Sequence, residues 1–131
     1  MPKVLKDLRV LLVEDIAILA LDLNYMLESH GAEVTVALTF EQGLDAATRD
    51  DAEFDVALLD GNLARCSSRP IAQILQEKNV GLVFHSAYTD QKTAMVDFPQ
   101  AVFLKKPAPD PRIISALLTN CRKTTLATAV T

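Results

Sequence analysis

The stretch RVLLVEDIAIL, residues 9–19, delivers two acids, Glu14 and Asp15, to the end of an apolar run. The run RVLLV is apolar nearly throughout, as in a strand buried on both faces. Like charges side by side repel, and burial makes that worse. The pair is either solvated at a strand-to-helix turn, with Asp15 as a helix N-cap, or held against something positive. Beyond it, Ile16, Leu19, Leu23, Met26 and Leu27 fall at helical spacing, and His30-Gly31 supplies a stop. The histidine there suits the negative end of the helix dipole.

This unit of strand, turn and helix repeats along the chain. Further short apolar runs are EVTVAL (33–38), FDVALLD (54–60), GLVFHSA (81–87) and AVFLKK (101–106). Thr39 is an N-cap candidate for a helix that buries Leu44 and Ala47. Ser67 or Ser68, with Pro70, opens a helix through Ile71, Ile74 and Leu75. Residues 89–96 form the least apolar of the expected helices. Asp110 and Pro111 read as N-cap and first residue of a helix through Ile113, Ile114, Leu117 and Leu118. Five strand-helix repeats predict a parallel sheet with helices on both faces, and right-handed crossovers leave few windings.

Bulk properties narrow the function classes. At 131 residues and 50% hydrophobic, the chain suits one domain with a full core. A net charge of -4 argues against nucleic-acid binding through bulk charge. The apolar runs are too short to cross a bilayer, and MPKVLKDLR has no apolar signal core, so a cytoplasmic protein without membrane contact is expected. Cys66 and Cys121, far apart in sequence, read as plain thiols. No linker, repeat or second domain is evident, and the tail from Arg122 lacks an apolar face.

In an open parallel sheet, ligands bind beyond the carboxyl ends of the strands. The first strand ends on Glu14 and Asp15, the third on Asp60, the fourth on His85 and Ser86, and the fifth on Lys105 and Lys106 before Pro107. Clustered carboxylates need a cation to stay ionised together. Hard oxygen donors without a Cys or His cluster favour Mg²⁺, which keeps waters and shares phosphate oxygens. A metal, a lysine and a hydroxyl together form a cradle for a phosphoryl group. A carboxylate can accept that group as an acyl phosphate. Asp60, alone at the end of the central run, is the natural acceptor, and Glu14 with Asp15 is the natural metal-holding pair.

With these residues in view, the sequence resembles response-regulator receiver domains, the phosphorylated half of two-component signalling. The resemblance rests on VED, DVALLD, HSA and FLKKP, in family order and spacing, and runs from about Arg9 to Arg122. It implies a flavodoxin-like (βα)5 three-layer sandwich with a five-stranded parallel sheet in order 2-1-3-4-5. The expected domain is 1–124, with 125–131 a frayed tail. By position, Asp60 matches the phosphoacceptor, Asp15 the direct Mg²⁺ ligand, and Glu14 the acid acting mostly through metal-bound water. Asn62 matches the residue whose backbone carbonyl also binds the metal. Ser86 matches the switch hydroxyl, Lys106 the phosphoryl-contacting lysine, and Phe103 the switch aromatic. Two positions depart from the family: the loop after Asp60 reads GNLARCSSRP instead of carrying a Met-Pro pair, and the switch aromatic is Phe rather than Tyr. Tyr88 is a bulky group two residues beyond Ser86.

Each residue also has a simpler reading. Asp60 before Gly61 suits an Asx-turn, Ser86 a loop hydroxyl bonded to backbone, and Phe103 ordinary core. Alternation turns His85 away from the face Ser86 uses, which suits a structural histidine rather than a phosphorelay one. Alternation also sends only one of Lys105 and Lys106 into the site but does not say which; the bend at Pro107 could aim Lys106 back over the strand ends, and the resemblance selects the same residue. The leading expectation is a single-domain response regulator that takes a phosphoryl group from a sensor histidine kinase or histidine phosphotransfer protein. It then switches a surface for an unknown downstream protein or passes the group on in a relay. Such a protein is a signalling phosphoacceptor and not an enzyme beyond its own phosphorylation and dephosphorylation. The alternative is a small Mg²⁺-dependent aspartyl-phosphate phosphohydrolase, whose D-x-D pair this chain replaces with Asp60-Gly61-Asn62.

Overall fold

The computed structural model describes residues 3–51, 53–63, 66–86 and 97–121. Its elements run β1 (Arg9–Val13), α1 (Ala17–Ser29), β2 (Glu33–Ala37), α2 (Phe40–Thr48), β3 (Val56–Leu59), β4 (Asn62–Leu63), β5 (Cys66–Ser67), α3 (Arg69–Glu77), β6 (Gly81–Ser86), β7 (Val102–Lys105) and α4 (Asp110–Asn120). The main sheet has five strands in the order β2-β1-β3-β6-β7. Every pairing in it is parallel. With the short β4-β5 hairpin set aside, this is the expected order 2-1-3-4-5. The expected helix over residues 89–96, Tyr88 and the tail beyond Cys121 lie outside the described residues.

Alternation along the strands divides the core into two layers. On one face of the sheet, Leu11, Val13, Ala57, Leu59, Leu82 and Phe84 pack under Ala46 and Ala47 of α2 and Ile71, Ala72 and Leu75 of α3. On the other, Val10, Leu12, Val56, Leu58, Val83 and Leu104 pack under Met26 and Leu27 of α1 and Ile113, Ala116 and Leu117 of α4. β1 and β3 are covered on both sides, which is why their sequences show no polar alternation. Each fully buried leucine contributes roughly 1.5–3 kcal/mol of transfer free energy. Among the described residues, no helix is long and apolar enough to cross a membrane.

The helix ends follow their chemistry, with three corrections. Thr39 caps α2, its hydroxyl accepting from Gln42 N–H at 3.0 Å. Ser68 precedes α3, with Pro70 in its first turn. The last helix starts one residue earlier than Asp110 as N-cap would require: Pro109 is the N-cap, its carbonyl accepting from the N–H groups of Arg112 and Ile113. At α1 the N-cap is Ile16 and not Asp15. The buried face of α1 keeps three of the five expected residues, Leu23, Met26 and Leu27, and loses the two at its start. Ala20, Met26 and Leu27 are buried, while Ile16 and Leu19 are exposed, as are Ile18, Leu21 and Tyr25. Because α1 is apolar nearly all round, its periodicity does not single out one inward stripe.

Candidate functional site

The backbone ladders carry the acids to one edge. Beyond the last β1 residue, Glu14 N–H donates to Ala37 O at 3.0 Å, and beyond β3, Asp60 N–H donates to Val13 O at 2.9 Å. Glu14 and Asp60 therefore continue two neighbouring strands, and both are buried, at 1% and 8% exposure. Glu14 is fixed further by its Oε2, which accepts from Ile16 N–H at the start of α1 at 3.2 Å. Asp15 is half-buried. One carboxylate oxygen from each of Glu14, Asp15 and Asp60 lies within 4.8 Å of the others. The donors are all hard oxygens, so the set fits a hard divalent cation such as Mg²⁺ better than a soft one.

Lys106 supplies the positive charge. Its Nζ donates to Glu14 Oε1 at 2.6 Å and to Asp60 Oδ2 at 3.2 Å. To do so the side chain crosses the tip of β6, which separates β7 from β3 in the sheet. Burial works against the ammonium, but the hydrogen bond to Glu14 and the charges of Asp60 and Glu14 outweigh it and hold the pKa above its ordinary value. The Lys106–Pro107 peptide bond is cis, and Lys106 N–H donates to Ser86 O at 2.9 Å. Lys105, the competitor that alternation left open, is exposed on edge strand β7, where a charged side chain is a common guard against edge-to-edge pairing.

The remaining residues singled out from sequence lie around this trio. Ser86 ends β6 and is buried. Phe103 is half-buried and stacks on Phe84, the ring centroids 5.1 Å apart and the planes 8° from parallel. Asn62 opens β4, pairing with Ser67. His85 has the parity of Val83, on the α1–α4 side of the sheet, and is buried at 8% exposure, with neither ring nitrogen hydrogen-bonded among the described residues. Burial lowers its pKa, and the charge of Lys106 adds to this while Glu14 opposes it. His30 caps the end of α1, with Nδ1 2.9 Å from Met26 O. Cys66 is exposed and Cys121 buried, the Cys121 thiol donating to Leu118 O at 3.4 Å.

Sequence reasoning missed the β4-β5 hairpin and the part Gly61 plays beside it. Ser68 N–H donates to Gly61 O at 3.2 Å, closing the hairpin, and a Cβ added at Gly61 would lie 3.2 Å from Ser86 Oγ. The Asp60-Gly61 dipeptide was the available signal, but it reads equally well as a plain turn.

No protein-family model matches the sequence, and no curated protein matches it. Solved structures do. The receiver domain of HemR from Leptospira biflexa, in its non-phosphorylated form, is 26% identical, with 86% of this chain and 93% of that one covered and a TM-score of 0.73. A response regulator receiver protein from Sinorhizobium medicae is 24% identical over 88% of this chain and 94% of that one, with a TM-score of 0.78. The response regulator TrrA from Thermotoga maritima, solved in complex with Mg²⁺-BeF, is 18% identical over 86% of this chain and 97% of that one, with a TM-score of 0.73. Sheet order, helix placement and these likenesses agree: the chain has the fold of a response-regulator receiver domain.

Proposed function

We propose that this protein is a response regulator of two-component signalling, in which Asp60 accepts a phosphoryl group in a Mg²⁺-dependent reaction. The observation that carries the reading is the ammonium of Lys106 bound to both Glu14 and Asp60, inside a cluster of three carboxylates at one sheet edge. In this reading an Asp60 oxygen attacks the phosphorus of the donor. The new P–O bond forms as the bond to the leaving group breaks, and the leaving group departs with the electron pair. Lys106 balances charge on the phosphoryl oxygens, and the Ser86 hydroxyl donates a hydrogen bond to one of them. Glu14, Asp15 and Asp60, with the backbone carbonyl of Asn62, would hold a Mg²⁺ whose bound charge favours the incoming phosphoryl oxygens. Glu14 would act mostly through metal-bound water.

The donor in this reading is a sensor histidine kinase or a histidine phosphotransfer protein. The output is a change on the face made by β7 and α4, read by another protein or replaced by onward transfer of the group. Ser86 moving toward the phosphoryl group would leave space for Phe103 to turn inward, since packed cores switch between discrete arrangements rather than deforming smoothly. The test is intact mass after incubation with a small phosphodonor and Mg²⁺. One added phosphoryl group, removable by hydroxylamine and absent from Asp60→Asn, is expected. Equal labelling of Asp60→Asn, or catalytic turnover of a phosphate ester in place of stoichiometric label, would overturn the reading.

A further inference from the structure

Gly61 follows Asp60 and precedes the β4-β5 hairpin. Its φ is not in the left-handed region, so its backbone conformation does not require glycine. Space does. A Cβ at this position would lie 3.2 Å from Ser86 Oγ and 3.3 Å from Ser86 Cβ, tighter than an ordinary van der Waals contact. The Gly61 backbone is not free to back away. Its carbonyl accepts from Ser68 N–H at 3.2 Å and lies 3.4 Å from Ser68 Oγ, and Ser68 is 1% exposed. The Asn62–Ser67 and Leu63–Cys66 pairs of the hairpin hold the same segment from its other side. Leu63, packed in the core at 2% exposure, anchors the hairpin to the sheet.

From this we infer that Gly61 is a positioning residue for the Ser86 hydroxyl. The hairpin clamps the peptide after Asp60, and the missing side chain at Gly61 leaves the Ser86 hydroxyl its place against that peptide. A larger residue there displaces Ser86, because the clamped segment does not yield. The inference rests on the reading of Asp60 as phosphoacceptor and adds to it the residue that holds the Ser86 hydroxyl in place.

The test is a double-mutant cycle read by the initial rate of labelling with a small phosphodonor and Mg²⁺. Gly61→Ala is expected to slow labelling by about threefold to tenfold, since misplacements below 1 Å already cost part of the roughly 100-fold penalty of a full ångström. In a Ser86→Ala background, where no hydroxyl remains to be displaced, Gly61→Ala should change the rate less than twofold. Equal slowing in both backgrounds, or a wild-type rate for Gly61→Ala, would overturn the inference. If Gly61→Ala does not fold, thermal unfolding of Gly61→Ala/Ser86→Gly decides. Recovered folding places the clash at Ser86, and continued failure overturns the inference. Absence of label on the wild-type protein would instead overturn the phosphoacceptor reading itself.

Discussion

The two ends of the parallel sheet carry their charges differently. At the amino ends of the strands, Arg9 Nε meets Glu33 Oε2 at 3.2 Å with the side chains 53% and 72% exposed. Asp55, deeply buried at that end, accepts from Arg9 N–H at 2.8 Å and so is engaged by backbone. At the carboxyl ends, Lys106, Glu14 and Asp60 are drawn together with side-chain exposures of 15%, 2% and 9%. The first arrangement costs little and stabilises little. The second takes charges out of water, and a buried ion pair is often no more stabilising than apolar groups of the same volume. The carboxyl end is thus the costlier arrangement, with no evident return in fold stability, which supports the proposed site there.

Lys106→Met should break the contrast most strongly. It leaves Glu14 buried and unneutralised beside Asp60, and a loss of about 3–5 kcal/mol in urea unfolding is expected. Adding Glu14→Gln to Lys106→Met should recover much of that loss, while Lys105→Met should leave stability within about 0.5 kcal/mol. A Lys106→Met variant as stable as wild type would make the carboxyl end no different from the amino end.

Metal binding sharpens the contrast next. Few protein ligands and several retained waters imply modest Mg²⁺ affinity without phosphate. Because Glu14 is already engaged by Lys106, Asp15→Asn should weaken Mg²⁺ in isothermal titration more than Glu14→Gln does. The reverse order would assign the direct ligand to Glu14.

A smaller effect is expected with pH. The folded-state pKa of His85 is lowered below 6.5 by burial, so between that lowered value and 6.5 the unfolded chain binds more protons than the folded one. The stability from burying a neutral His85 is complete above pH 6.5 and is lost as pH falls toward the folded-state value. His85→Leu should flatten the urea midpoint across that acidic window, and an unchanged slope would remove His85 from the account. Lys106 acts at the alkaline end. With its pKa raised above 10.5, its contribution is whole below that pH and is lost as pH climbs through the folded-state value. The smallest effect belongs to the amino end: Arg9→Ala should shift stability by no more than about 1 kcal/mol.

Much of this was legible in the sequence because the deciding signals were local and strong. Apolar strands ending on Glu14, Asp60 and Lys106 announce both the sheet and its charged edge, since strand ends in a parallel sheet converge. Thr39 announced its helix through capping chemistry, and Pro70 marked the first turn of α3, where Ser68 is the N-cap without a side-chain hydrogen bond. The inward face of α1 was legible at Leu23, Met26 and Leu27 but not at Ile16 and Leu19, because the start of α1 is apolar on every side and only the sheet determines which side is covered. Lys106 over Lys105 came from its place before Pro107 together with the family pattern, because alternation fails where a strand ends. The hairpin after Asp60 was not legible, since two-residue strands carry no periodicity. Nor was the tight fit of Gly61 against Ser86, which joins strands far apart in sequence.

The two-layer core also sets an order of assembly during synthesis, when chains fold as they emerge from the amino end. The layer beneath α2 and α3 draws mostly on residues up to Phe84, with Phe98 added later. The layer beneath α1 and α4 needs Ile113, Ala116, Leu117 and Cys121, close to the end of the chain. A nascent chain that has made β6 but not α4 therefore presents Val56, Leu58 and Val83 without their final cover. Until the last helix docks, with Asn120 Nδ2 reaching Leu82 O at 2.5 Å, one side of the sheet is a sticky surface for chaperones. Truncation before Ile113 would make that transient exposure permanent.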